Sequence, residues 1–114
     1  MPRRKTPDRY AAFVGRRIRA LREEVGLTLE KLAYESDLGS KGHLSDIEKG
    51  LVIPTVKTLR VLAERLGVLV LDLVTDPEAD PRQTLIDRTR GLTGGTLRKL
   101  LRHVPAATSR RNDP

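Results

Sequence analysis

Cysteine and tryptophan are absent from the 114 residues, and the aromatic side chains amount to Phe13, Tyr10 and Tyr34. Without cysteine there are no disulfide staples and no thiolate metal sites. Histidine is nearly as scarce: His43 and His103 lie 60 positions apart, which rules out the paired-histidine spacing of a metal site. A hydrophobic fraction of 38% carried by Leu, Val, Ile and Ala, with so few aromatics, predicts packed helices rather than a β-sandwich. The longest nearly apolar run, Leu66 to Leu71, contains a glycine and is too short to cross a bilayer. The basic start of the chain is not followed by an apolar stretch, so the expectation is a cytoplasmic protein with no export signal. No cofactor is expected. Catalytic signatures are missing too: there is no G-x-S-x-G and no phosphate-cradling glycine loop. His43, Ser45 and Asp46 point in different directions on a helix and cannot form a nucleophile, base and orienter array. An enzyme is therefore not expected.

What the chain does have is basic charge, unevenly placed. The formal net charge is +7, with eight basic and three acidic residues in 1–26, six and seven in 27–75, and eight and five in 76–114. The excess sits at the two ends, a distribution that suits a polyanionic partner and equally a solvated surface.

The length suits one core with terminal extensions. Residues 1–7 (MPRRKTP) form a basic arm in which Thr6 and Pro7 read as the N-cap and first position of a helix. Tyr10, Phe13, Val14, Ile18, Leu21 and Val25 recur at three- and four-residue spacing and predict one buried stripe, closed by Gly26. Thr28 caps a short second helix running to about Ser36, followed by the turn Asp37, Leu38, Gly39. Ser40 caps a third helix with Leu44 and Ile47 inward, ending at Lys49-Gly50. Pro54 forces Leu51–Pro54 to be extended, and Thr55 caps a fourth helix with Val56, Leu59, Leu62, Ala63 and Leu66 inward and Gly67 as terminator. Val68–Val74 reads as a fifth short helix because no partner strand is in sight. The domain plan is an arm (1–7), a core domain (8–75), a helical extension (76–104) holding two helices separated by Gly91 and Gly94-Gly95, and a disordered tail (105–114).

Two short helices joined by a tight turn and flanked by longer ones form a helix-turn-helix. The segments GRRIRALREEVGLT, KLA, LSDIEKG and PTVKTLRVLAERLGV, in that order over residues 14–74, resemble the Cro and lambda-repressor type helix-turn-helix family, also called the xenobiotic-response-element family. The resemblance implies an all-α, five-helix lambda-repressor-like DNA-binding domain with a C-terminal helical extension. It implies a nucleoid-associated, sequence-specific transcription regulator that binds double-stranded DNA. Leu44 and Ile47 would anchor a recognition helix whose base-reading residues are Lys41, Gly42, His43 and Asp46. Lys41 would donate to guanine and Asp46 accept from cytosine. Phosphate contacts are expected from Thr28, Ser40, Ser45, Lys49 and Lys57, with Arg3, Arg4 and Lys5 as a mobile arm. Arg22 and Glu48 match the family's pair that braces the first helix to the third.

The pattern also departs from the family. The 15 steps from Ala33 to Glu48 are one more than its usual spacing, which places an extra residue in the Ser36–Gly39 turn. Leu29 replaces a frequent glutamine, Leu51, Val52 and Ile53 replace a commonly basic loop, and Leu69 and Leu71 occupy usually polar places. Leu29, Gly42 and the apolar loop suggest the alternative, a protein-interaction module, antitoxin-like or scaffold, that keeps the fold with weak or no DNA reading. A homodimer is expected through Val68–Val74, the C-terminal helices, or both.

Overall fold

Each helix of the core starts where a short polar side chain can take up an orphan backbone N–H. In the computed structural model, which describes residues 2–106, these starts define seven helices. They are α1 (Arg9–Glu24), α2 (Leu29–Glu35), α3 (Lys41–Glu48), α4 (Val56–Leu66), α5 (Val70–Val74), α6 (Pro81–Thr89) and α7 (Gly94–Leu101). No strand is present among the described residues, so the fold is all-α. No helix among them is long and apolar enough to cross a membrane.

Thr28, Ser40 and Thr55 accept from the N–H groups of Lys31, His43 and Thr58, which sets the starts of α2, α3 and α4. Gly67, in the left-handed conformation, ends α4. The start of α1 differs from the Thr6–Pro7 expectation. Asp8 is the N-cap, accepting from the Ala11 N–H at 2.8 Å, while its own N–H donates to the Gly50 carbonyl at 3.0 Å. That second bond keeps the chain out of the helix until residue 8. At the other end, Thr93 caps α7, so Gly94 and Gly95 belong to its first turn rather than to a separating loop. The expected disordered tail lies, from residue 107 onward, outside the described residues.

One cluster unites the first five helices: Val14, Ile18, Leu21, Leu32, Ala33, Leu44, Ile47, Val52, Leu62, Ala63, Leu66 and Leu73. At α1 the buried stripe is Ala11, Val14, Ile18 and Leu21, and three residues expected inward are not. Tyr10 is 62% exposed, its hydroxyl donating to the Val74 carbonyl across the end of α5. Val25 is exposed because α1 has already ended at Glu24, and Val56 is exposed at the first position of α4, before the stripe has turned inward. The apolar loop has a plain explanation, since Val52 is 2% exposed and fills the core between α3 and α4.

The extra residue before α3 is absorbed by two left-handed positions, Asp37 (φ 54°) and Gly39 (φ 85°), flanking a half-buried Leu38 whose N–H donates to the Ala33 carbonyl. Asp is among the few non-glycine residues that tolerate this region.

The crossing of α1 and α3 is unusually close. A Cβ on Gly15 would lie 2.4 Å from the Glu48 carbonyl oxygen, and one on Gly50 would lie 2.6 Å from the Ala12 backbone. By contrast α6 and α7 bury no residue, and α6 is tied to the core through Arg90, 3.8 Å from Asp72 and 4.0 Å from Glu24. Replacement Gly15→Ala is expected to overpack the crossing and destabilise the domain by about 1–3 kcal/mol. For a core of this size that lowers the melting temperature by about 4–8 °C per kcal/mol. Thermal unfolding followed by circular dichroism checks it, and an unchanged midpoint would show that the two backbones do not meet there.

Candidate nucleic-acid interface

The helix α3 has two faces with different tasks. Its inner face, Leu44 and Ile47, is wholly buried. On the same side Glu48 is held by a buried ion pair: Arg22 Nε donates to Glu48 Oε2 at 2.8 Å and Arg22 Nη2 to Glu48 Oε1 at 3.1 Å. The remaining terminal nitrogen, Nη1, donates to the Leu27 carbonyl at 2.9 Å, so one guanidinium joins α1, the α1–α2 loop and α3. This two-pronged geometry is the strong form of an arginine–carboxylate contact. Glu48 raises the Arg22 guanidinium further above its ordinary value, chiefly through the side-chain hydrogen bond and against the opposing effect of burial.

Further polar ties set the neighbours of α3. Arg65 Nε donates to the Glu35 carbonyl at 2.8 Å, joining α4 to the last turn of α2. Arg17 Nε donates to the Asp72 carbonyl at 3.0 Å, joining α1 to α5. Asp72 accepts from the Leu69 N–H and so closes the start of α5.

The outer face of α3 carries Lys41, Gly42 and Lys49, all exposed, with Ser45 and Asp46 partly so. Thr28, Leu29, Glu30, Lys41, Gly42 and Ser45 line a shallow hollow of about 420 Å³ between the first turns of α2 and α3. The structure therefore brings Thr28, Lys41, Gly42 and Ser45 together, next to two helix N-termini whose N–H groups favour anions. The hydroxyls of Thr28 and Ser40 are already engaged as caps. His43 is half-buried on α3. Lys57 is exposed in the first turn of α4, away from this hollow, and Lys5 is exposed in the arm. Gly42 has no packing reason to lack a side chain, because a Cβ there would meet only the Ser40 Oγ at 3.8 Å.

The arm departs from the expected mobile segment. The Arg4 N–H donates to the Leu51 carbonyl at 2.7 Å and the Asp8 N–H to the Gly50 carbonyl, so residues 4–8 run along the α3–α4 loop. Arg4 Nε turns back to the Thr6 carbonyl, while Arg3 Nε reaches Asp46 Oδ2 at 3.0 Å. A second ion pair crosses the turn, from Lys41 Nζ to Glu30 Oε1 at 3.0 Å. Neither Glu30 nor the Arg3–Asp46 contact is signalled by sequence spacing, because the partners are 11 and 43 positions apart.

Replacing Arg22 alone with methionine leaves Glu48 buried without its partner and is expected to cost about 3–5 kcal/mol in urea unfolding. The double variant R22M with E48M should recover most of that loss. Additive losses in the double variant would contradict the pairing.

Comparison with known proteins fits this geometry. Residues 14–74 match the family model described as a helix-turn-helix domain. An uncharacterized HTH-type transcriptional regulator of Sinorhizobium fredii is 43% identical over 69 residues, covering 60% of this chain and 88% of the relative. The HTH-type transcriptional regulator DdrOP3 of Deinococcus deserti is 38% identical over 76 residues, 67% of this chain and 58% of the relative. The immunity repressor protein of Bacillus phage phi105 is 41% identical over 61 residues, 54% of this chain and 42% of the repressor. No solved structure gives a significant match. The matched span runs from the middle of α1 to the end of α5 and takes in the braced α3; the chain belongs to the helix-turn-helix family of DNA-binding transcriptional regulators.

Proposed function

We propose that the protein binds a specific operator as a homodimer, with α3 of each subunit in the major groove. The observation that carries this reading is the outer face of α3: Lys41, Gly42 and Lys49 stand open, while the inner face is fixed by Leu44, Ile47 and the Arg22–Glu48 pair. A helix held rigidly from behind can present side chains to base edges at fixed height. In this reading Lys41 donates to guanine O6 or N7 once it exchanges its exposed ion pair with Glu30, a pair worth at most about 1 kcal/mol. Thr28, Ser40, Ser45, Lys49 and Lys57, with the arm residues Arg4 and Lys5, serve the phosphates, and His43 flanks the bases. In the same reading the protein works in the cytoplasm, at the nucleoid.

Gly42 supports the reading from the side of stability. Gly42 is the second residue of α3, where glycine costs less than the roughly 1 kcal/mol of a helix interior relative to alanine, and nothing in the fold demands it here. Close approach of DNA gives it a reason. The variant Gly42→Ala is expected to raise stability by up to about 1 kcal/mol while weakening operator binding. A variant that binds as well as the parent would remove that support.

The dimer reading rests on α7. Leu97, Leu100 and Leu101 fall on one stripe of α7 with Leu100 and Leu101 exposed, Arg98 and Lys99 lie on the other side, and Val104 adds exposed apolar surface just past the helix. Leu69 and Leu71 of the α5 region add apolar surface. Pairing two such stripes would cover them, and a symmetric dimer gains a second half-site about 34 Å from the first. Sedimentation equilibrium should return a dimer for the parent and a monomer for L100E with L101E; a monomeric parent would exclude the arrangement.

Selection of bound sequences from random DNA tests the function directly and should yield a palindromic consensus. With about eight phosphate contacts per dimer, affinity should fall by about 10³–10⁵ between about 50 and 200 mM salt. A salt-independent affinity, or no selected sequence, would refute operator binding.

A further inference from the structure

The arm ends on the recognition helix, and its contact there has a chemical sense of its own. Arg3 Nε donates to Asp46 Oδ2 at 3.0 Å, with side chains 63% and 24% exposed. The contact is not a chance meeting of long side chains, because the backbone bonds from Arg4 to Leu51 and from Asp8 to Gly50 bring the arm to this place. Among the described residues, Asp46 uses only Oδ2 and Arg3 only Nε in side-chain hydrogen bonds. Oδ1 is left as an acceptor, and the two terminal guanidinium nitrogens are left as donors.

Alone, a carboxylate on the reading face would be repelled by the DNA phosphates. Joined to Arg3 it is neutralised and fixed in direction, and the two side chains together offer one acceptor beside a two-pronged donor. Only one base pair has the complementary order in the major groove. A C·G pair shows the cytosine N4 amino donor followed by the guanine O6 and N7 acceptors. In a T·A pair the adenine amino donor lies between two acceptors and the thymine methyl group takes the outer place, so the paired set cannot be satisfied.

We propose that Arg3 and Asp46 act as one composite reader of a C·G base pair, in which Asp46 Oδ1 accepts from cytosine N4 and the Arg3 terminal nitrogens donate to guanine O6 and N7. This rests on the proposed docking of α3 in the major groove, and it turns Arg3 from a phosphate contact into a specificity determinant.

The experiment is sequence selection followed by fluorescence anisotropy on the selected operator and its single-pair variants. It uses the full chain and the substitutions R3A, R3K and D46N. Both changed positions are outside the core, and circular dichroism should confirm unchanged folding. For the parent, one position per half-site should be C·G, preferred about tenfold or more over the other pairs, as one good bidentate contact provides. R3A, R3K and D46N should each lose that preference while keeping the others, and R3A with D46N should be no worse than either alone. R3K is decisive, since it keeps the charge but not the fork. If R3A instead weakens all sequences alike and lowers the salt slope by about one with the preference intact, Arg3 is a phosphate contact and the inference is overturned. A parent that selects no sequence would refute the operator reading itself, and the composite reader with it.

Discussion

The close crossing of α1 and α3 is the constraint on which the rest depends. Two glycines, Gly15 and Gly50, let the α1 backbone meet the last turn of α3 and the start of the loop after it without a side chain between them. The Arg22–Glu48 pair then locks the rotation of α3 about that contact. Hydrophobic burial of Leu44 and Ile47 supplies the driving force but no direction, because burial is proportional to area and indifferent to angle. The direction comes from the forked hydrogen bonds, which break if α3 turns. A buried ion pair is a weak contributor to net stability; here its geometry fits a role in specifying orientation.

The outer face of α3 follows the opposite rule. Its ionic contacts, Lys41 with Glu30 and Arg3 with Asp46, are exposed, and exposed pairs contribute little. The helix is thus held rigidly on one side and only loosely engaged on the other. The difference lies entirely in solvent access, since both sides use the same kinds of charged group at similar distances. The Lys41–Glu30 pair on the outer side can be exchanged for a ligand without disturbing the inner side.

How much of this was legible in the sequence depends on the range of the interaction. Caps act over three residues, so Thr28, Ser40 and Thr55 mark the starts of α2, α3 and α4 and Gly67 marks an end. The start of α1 was not legible, because the bond that delays it runs from Asp8 to Gly50. Periodicity located the buried stripes but overshot at their ends: Tyr10, Val25 and Val56 fit the spacing, yet stand at helix ends where few neighbours remain to cover them. The apolar Leu51–Ile53 loop looked like surface for a partner and is partly core, through Val52. Spacing shows that the turn before α3 is one residue longer than its family's, but not the remedy, Asp37 and Gly39 in left-handed backbone. The contacts of Lys41 and Arg3 were hidden for the same reason as the start of α1: their partners are distant in the chain.

The attachment of α6 is of a different kind from everything before it. Arg90 reaches Asp72 and Glu24 and also pairs with Asp87 of its own helix, while neither α6 nor α7 shares a buried residue with the five-helix core. Two parts joined by charge rather than by a common core place few demands on each other's composition. Mutation can therefore remodel the extension without loosening α3, and the outer face of α3 can change without unsettling the extension. Neither part then constrains how far the other may vary.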